Sequence, residues 1–163
     1  MATRTNLPAS QTTGNVLTAA YVNDLRGAFR ILQVVQASHS TEVSTTSTSY
    51  VTTGLTASIT PQSTTSKILA YVSMPTEKTT VSIFSGAYIA LFRGTVAGTN
   101  LVENLLYSEQ QIVSTLALNW LDSPSTTSAQ VYTVGIKTNS GAVTVKSCPG
   151  SLKASLVLME VSA

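Results

Sequence analysis

Charge is the first thing this chain is short of. Only 10% of its 163 residues are Asp, Glu, Lys or Arg, nine basic and seven acidic, against roughly 25% in an ordinary soluble domain. A net charge of +2 leaves no nucleic-acid footprint: Lys67, Lys78, Lys137, Lys146 and Lys153 stand singly, with no basic cluster and no RNA-binding aromatic motif. Cysteine is nearly absent too. The single Cys148 excludes an internal disulfide framework and fits synthesis in a reducing cytoplasm. No apolar run approaches the ~18 residues of a membrane-spanning helix. The opening MATRTNLPASQ lacks the apolar centre of a secretory signal. Neither a nucleic acid nor a membrane is an expected partner.

The residues of catalysis are equally sparse. His39 is the only histidine, in the polar, turn-like QASHSTE. A Ser-His-Asp set with Asp24 or Asp122 is conceivable, but no G-x-S-x-G elbow accompanies it. A solvated histidine at a strand end is the plainer reading. One His, one Cys and seven scattered carboxylates give neither zinc nor EF-hand spacing. Glu103 and Glu109 have the look of paired carboxylates but read better as solvated residues flanking a turn. Cys148, before Pro149 and Gly150, reads as a small, partly buried side chain, with Lys146 the only charge nearby. Trp120, in LALNWLDSP, reads as a core or interface anchor rather than a ligand-stacking ring. GTVAG (94–98) lacks the Lys and Ser/Thr of a phosphate loop. The expectation is a protein that is not an enzyme, with no catalytic, cofactor or metal site.

What the chain has instead is hydroxyl groups over an apolar beat. TEVSTTSTSYVTTGLTASITPQSTTSKI (41–68) is rich in Ser and Thr, yet Val43, Tyr50, Val51, Leu55, Ile59 and Ile68 keep returning. Threonine suits the pleated surface of a strand, and serine and threonine serve turns. With 43% hydrophobic residues, the chain holds enough for one domain with a core.

Three segments follow from periodicity: an extended arm (1–16), an amphipathic helix (17–32) and a β-sandwich domain (33–163). The arm shows no period and carries Pro8 and Gly14. In VLTAAYVNDLRGAFRILQ, Leu17, Tyr21, Leu25, Ala28, Phe29 and Leu32 recur at three and four residues, one face of a helix. Thr18 is its N-cap, Asp24, Arg26 and Arg30 lie off the stripe, and Gly27 costs about 1 kcal/mol relative to alanine. That stripe needs a partner surface. Beyond residue 31 the period is two, and the pattern predicts strands over 31–38, 49–53, 55–60, 67–74, 86–93, 101–107, 111–120, 129–137, 141–147 and 153–161. Pro61, Pro75, Pro124 and Pro149 fall in the gaps, and Asn-Ser-Gly in KTNSGA signals a hairpin between the strands at 129–137 and 141–147. The fold class is all-β, a jelly-roll-like sandwich.

Two parts of the chain carry a family resemblance. TNLPASQTTGNVLTAAYVNDLRGA resembles the N-terminal leaders of tailed-bacteriophage virion proteins. ILQVVQASHSTEVSTTSTSYVTTGLTASITPQSTTSKILAYVSMP, YIALFRGT, SAQVYTVGIKTNSGAVTV and SLVLMEVSA together resemble a domain of phage structural proteins, especially those of marine and freshwater phages. The resemblance implies a jelly roll that assembles as a homotrimer on the virion. A short arm running straight into the β body suits a capsid decoration (cement) protein bound to a major capsid protein or another virion protein. A short tail or collar fibre with a receptor-binding tip is the alternative. A carbohydrate-binding sandwich is weaker, because aromatics are only 6%. The expected seam and anchoring residues are Tyr88, Leu91, Leu116, Leu118 and Trp120 on strands, and Leu17, Tyr21, Leu25 and Phe29 on the helix.

Overall fold

Alternation of small polar and apolar residues becomes alternation of exposure and burial. In Val51–Ile59, Leu55, Ala57 and Ile59 point inward while Thr56 and Ser58 face out; in Ala154–Val161, Ala154, Leu156, Leu158 and Glu160 point inward. A computed structural model describes residues 31–79 and 85–162. Among these are ten strands: β1 (Ile31–His39), β2 (Val43–Thr45), β3 (Val51–Ile59), β4 (Lys67–Lys78), β5 (Gly86–Arg93), β6 (Thr99–Tyr107), β7 (Ile112–Asp122), β8 (Gln130–Thr138), β9 (Val145–Ser147) and β10 (Ala154–Val161). A 3-10 turn, Pro149–Ser151, links the last two.

The strands form two antiparallel sheets. The first has the order β1-β10-β4-β9-β2, with β7 on the free side of β4; the second is β3-β8-β5-β6. Their inner faces bring Ile68, Val72, Met74, Leu156 and Leu158 against Leu55, Ile59, Ile89, Leu91, Val134 and Ile136. Each such side chain contributes about 1.5–3 kcal/mol when withdrawn from water. The chain changes sheet at nearly every connection from β3 to β9, and β5–β6 is the one tight hairpin among the described residues. The result is a jelly-roll-like β-sandwich.

The elements depart from the sequence reading at six places. The arm and residues 17–30 of the helix reading, with Leu17, Tyr21, Leu25 and Phe29, lie outside the described residues; residues 31 and 32 belong to β1. The segments 49–53 and 55–60 are one strand, because Gly54 adopts φ 81° and absorbs a register shift between Thr52 and Thr56, as a bulge does. The strand at 67–74 runs on to Lys78, through Pro75. Pro75 is tolerated because its backbone faces a handover: β10 pairs β4 only up to Ser73, and β9 begins at Thr76. No ladder donor is required there, and the Pro75 carbonyl accepts from the Cys148 amide at 2.9 Å.

The Asn-Ser-Gly turn makes no hairpin. β8 lies in the second sheet and β9 in the first, so residues 139–144 cross between layers. Val143 is buried there, its amide donating to the Ser140 carbonyl, and Asn139 Oδ1 accepts from the Gly86 amide. The strand read at 141–147 shrinks to Val145–Ser147, and the short β2 pairs it. Three residues of β2 are too few for a period to register.

Two buried carboxylates pin the sandwich. Asp122, at the end of β7, accepts from Tyr132 Oη at 2.8 Å and from Arg93 Nη1 at 3.1 and 3.2 Å. It thereby joins the first sheet to β8 and β5 of the second. Burial, and then the hydrogen bond to Asp122, push the Tyr132 phenol well above its ordinary range. Glu160, on β10, accepts from Gln33 Nε2 at 2.6 Å and the Gln62 amide at 2.7 Å, and also bonds Ser66 and the Ser63 backbone. It holds the loop from β3 to β4 against the first sheet.

Asp122→Ala removes the shared acceptor of a buried phenol and a guanidinium. The unfolding free energy is expected to fall by about 2–3 kcal/mol, read as a lower urea midpoint at unchanged slope. Glu160 sets an acid dependence. Burial alone would raise its pKa, but its four hydrogen bonds outweigh that and lower it. Its contribution is therefore present above the unfolded value of about 4.3 and is lost as pH falls through the lower folded value. Thermal unfolding from pH 7 to pH 2 is expected to show a loss on acidification that Glu160→Gln reduces, after a lower starting stability.

Candidate assembly surfaces

Backbone pairing leaves two edges side by side. Among the described residues, β7 forms a backbone ladder with β4 alone, and β6 with β5 alone. The two edges lie together at one flank of the sandwich, where Asn104 Nδ2 donates to the Ala117 carbonyl at 3.3 Å. Unpaired edges are templates for association unless charge or a covering segment blocks them. Here they carry apolar side chains: Trp120 is 43% exposed, Val113 52% and Leu105 40%. Trp120 has the inward parity of Leu118 and Asp122 and sits opposite Ala70. At the outermost strand the second sheet does not cover it.

The expected seam residues separate. Leu91, Leu116 and Leu118 are buried in the chain's own core, which corrects their assignment to a seam: alternation placed them on the inner face. Trp120 is available. Tyr88 is half-buried in a cluster on the outer face of the second sheet. There Lys137 Nζ lies 4.4 Å from the Tyr50 ring centroid and 5.1 Å from that of Tyr88. Tyr50 meets Phe92 edge-on at 5.0 Å and donates to Glu103 Oε2 at 2.7 Å. Burial first, then this bond, push the Tyr50 phenol far up. Gly135 makes the room, since a Cβ there would lie 2.9 Å from Val96 Cγ1 and 3.2 Å from Phe92 Cε2.

Sequence reasoning missed Val113, Leu105 and Leu121. The signal was present for β7. If Leu116 and Leu118 face inward, parity sends Val113 and Leu121 outward.

The remaining candidates lie apart from one another in their contacts. His39, expected to be a solvated side chain at a strand end, is instead half-buried at the end of β1 with Nε2 enclosed and without a hydrogen-bond partner. Its ring lies over Gly54, where a Cβ would come within 2.8 Å of Cε1. Asp122 is engaged with Arg93 and Tyr132 rather than with His39, and Asp24 lies outside the described residues. Glu103 is tied to Tyr50, while Glu109 is exposed in the β6–β7 turn. Cys148 is wholly buried at φ 52°, its thiol donating to the His39 carbonyl at 3.6 Å, and burial raises its pKa.

No protein-family model matches the chain, and no curated protein matches it. Among solved structures it is similar to the infectious bursal disease virus VP2 subviral particle, at 15% identity over 80% of this chain and 38% of that one, with a TM-score of 0.34. It is also similar to the T13 particle of infectious bursal disease virus, at 11% identity over 80% of this chain and 35% of that one, with a TM-score of 0.38. The chain thus spans little more than a third of the length of these relatives. Likenesses this distant leave function to the chain's own surfaces.

Gly135→Val would drive a branched side chain into Val96, Phe92 and Tyr50. A loss of about 1–3 kcal/mol is expected, with a changed tyrosine signal in near-ultraviolet circular dichroism.

Proposed function

We propose that the chain is a structural protein of a phage virion: a decoration protein that binds the head surface as a homotrimer and stabilises the shell. The observation that carries the association is the β6–β7 flank, two adjacent unpaired edges bearing Trp120, Val113 and Leu105. Trp anchors of this kind are favoured at interface centres. In a three-fold ring each contact is heterologous, so this flank of one protomer meets a different surface of the next. The phage placement and the three-fold symmetry rest on the sequence resemblance. The charge-poor, hydroxyl-rich surface supports the same reading, because it can lie against many identical neighbours with little electrostatic repulsion. No chemical step is assigned to the chain. Residues 1–16 are its reach toward a capsid partner, and a short tail or collar fibre is the competing placement.

Light scattering of the purified protein is expected to give three times the chain mass. Trp120→Glu with Val113→Glu is expected to shift it toward one chain mass, while the fold holds because exposed substitutions cost within about 0.5 kcal/mol. A monomeric wild type at high concentration overturns the trimer. Imaging of virions tests the placement: density repeated over the shell is expected, and density confined to one vertex reassigns the protein to the tail or collar.

A further inference from the structure

At the β6–β7 flank one side chain occupies the backbone of both edges. Asn104 Nδ2 donates to the Ala117 carbonyl at 3.3 Å, and Asn104 Oδ1 accepts from the Leu105 amide at 2.8 Å. Ala117 is at the middle of β7, and Leu105 lies on β6 opposite Tyr88. Asn104 has the inward parity of its partner Ile89 and yet is exposed. At this outermost strand its side chain crosses to β7 instead of entering the core. Antiparallel strands bond through alternate residues, which exchange both N–H and C=O. A carbonyl or amide bonded outside its own ladder is therefore one that an added strand would have to reach. The sequence of β7, IVSTLALNWLD, offers no other obstacle. It contains no proline and no lysine, its register with β4 runs over all 11 residues without a bulge, and its one charge, Asp122, is buried. Charge, proline and bulges are the usual means by which an edge is kept from pairing with another copy.

We propose that Asn104 is the guard of this flank. By holding the Ala117 carbonyl and the Leu105 amide it keeps a second copy from adding a strand to β7 or β6. Copies then meet through side chains, Trp120, Val113 and Leu105, and not through backbone. The difference bears on closure. Backbone pairing along a charge-free edge can slip in register and repeat from copy to copy. Packing around a buried anchor fixes one orientation, and one fixed rotation permits a ring. A single carboxamide suits the task because it donates and accepts at once, so it blocks an acceptor on one edge and a donor on the other. This guard role rests on the reading of the flank as an association surface, whatever the number of copies in the ring.

Asn104→Ala tests this on the intact chain, because an exposed substitution costs the fold within about 0.5 kcal/mol while it bares both backbone groups. Over a concentration series, sedimentation of the variant is expected to show open-ended species larger than the wild-type assembly. Their onset is expected at a concentration about tenfold or more below that of any such species in the wild type, with an infrared band of intermolecular β-structure. Asn119→Lys, which puts a charge at an exposed position of the β7 edge, is expected to return Asn104→Ala to the wild-type mass. The wild-type mass for Asn104→Ala alone, throughout the series, overturns the proposal. So does growth without the infrared band, or growth that persists with Asn119→Lys, since either assigns it to misfolding and not to an opened edge. A monomeric wild type sinks the trimer alone: the difference between variant and wild type still reads the guard.

Discussion

The first sheet depends on one strand. β4, twelve residues long, is bonded along both sides to three neighbours: β7 pairs it from Ile68 to Lys78, while β10 and then β9 share the opposite side. Without β4, neither β7 nor β9 has a place in the sheet beyond the three-residue contact with β2. Proline is tolerated in its middle because one neighbour ends where the next begins. The same handover lets the Pro75 carbonyl hold the Cys148 turn, so the break in the ladder is itself bonded.

The two inward carboxylates show how a charge-poor chain uses the charges it keeps. Glu160 and Asp122 are both on the inner side of the first sheet; Asp122 takes its donors from the opposite layer, and Glu160 from β1 beside it and from the loop between β3 and β4. A buried carboxylate without such donors would cost several kcal/mol. Satisfied, it fixes which loop and which strand ends meet. Hydroxyls do the corresponding work at the loops, closing short turns such as Ser47 to Ser49 and Thr138 to Ser140. Such turns leave few side chains for ion pairs across the surface.

Much of the fold was legible because period two survives wherever one face is buried. β5 was read to the residue, and β1, β8 and β10 to within one. The failures share a cause: local chemistry was read without knowing the partner strand. Gly54 looked like a break, yet is a bulge on a continuous β3. Pro75 looked like an end, yet lies where no donor is needed. Asn139-Ser140-Gly141 looked like a hairpin, yet its flanking strands belong to different sheets. Of the surface candidates, Trp120 is exposed near the end of β7. Leu91, Leu116 and Leu118 were misassigned because apolar content alone does not tell the inner face from the outer. His39 went astray because its neighbours in sequence are polar, while its neighbour in space is a bare glycine backbone.

The sheet order also governs when the molecule can fold. β10, the last described strand in sequence, lies between β1, the first, and β4. Until residue 161 has left the ribosome, β1 has no neighbour to pair and the first sheet has a gap at its centre line. Loop closure over more than a hundred residues must precede the hydrogen bonds that reward it, which slows the approach to the native state. β1 therefore stays unpaired through most of synthesis, and the chain's scarcity of charge gives little repulsion between neighbouring copies in that interval. Such a chain is matched to production in which completion is fast relative to encounter.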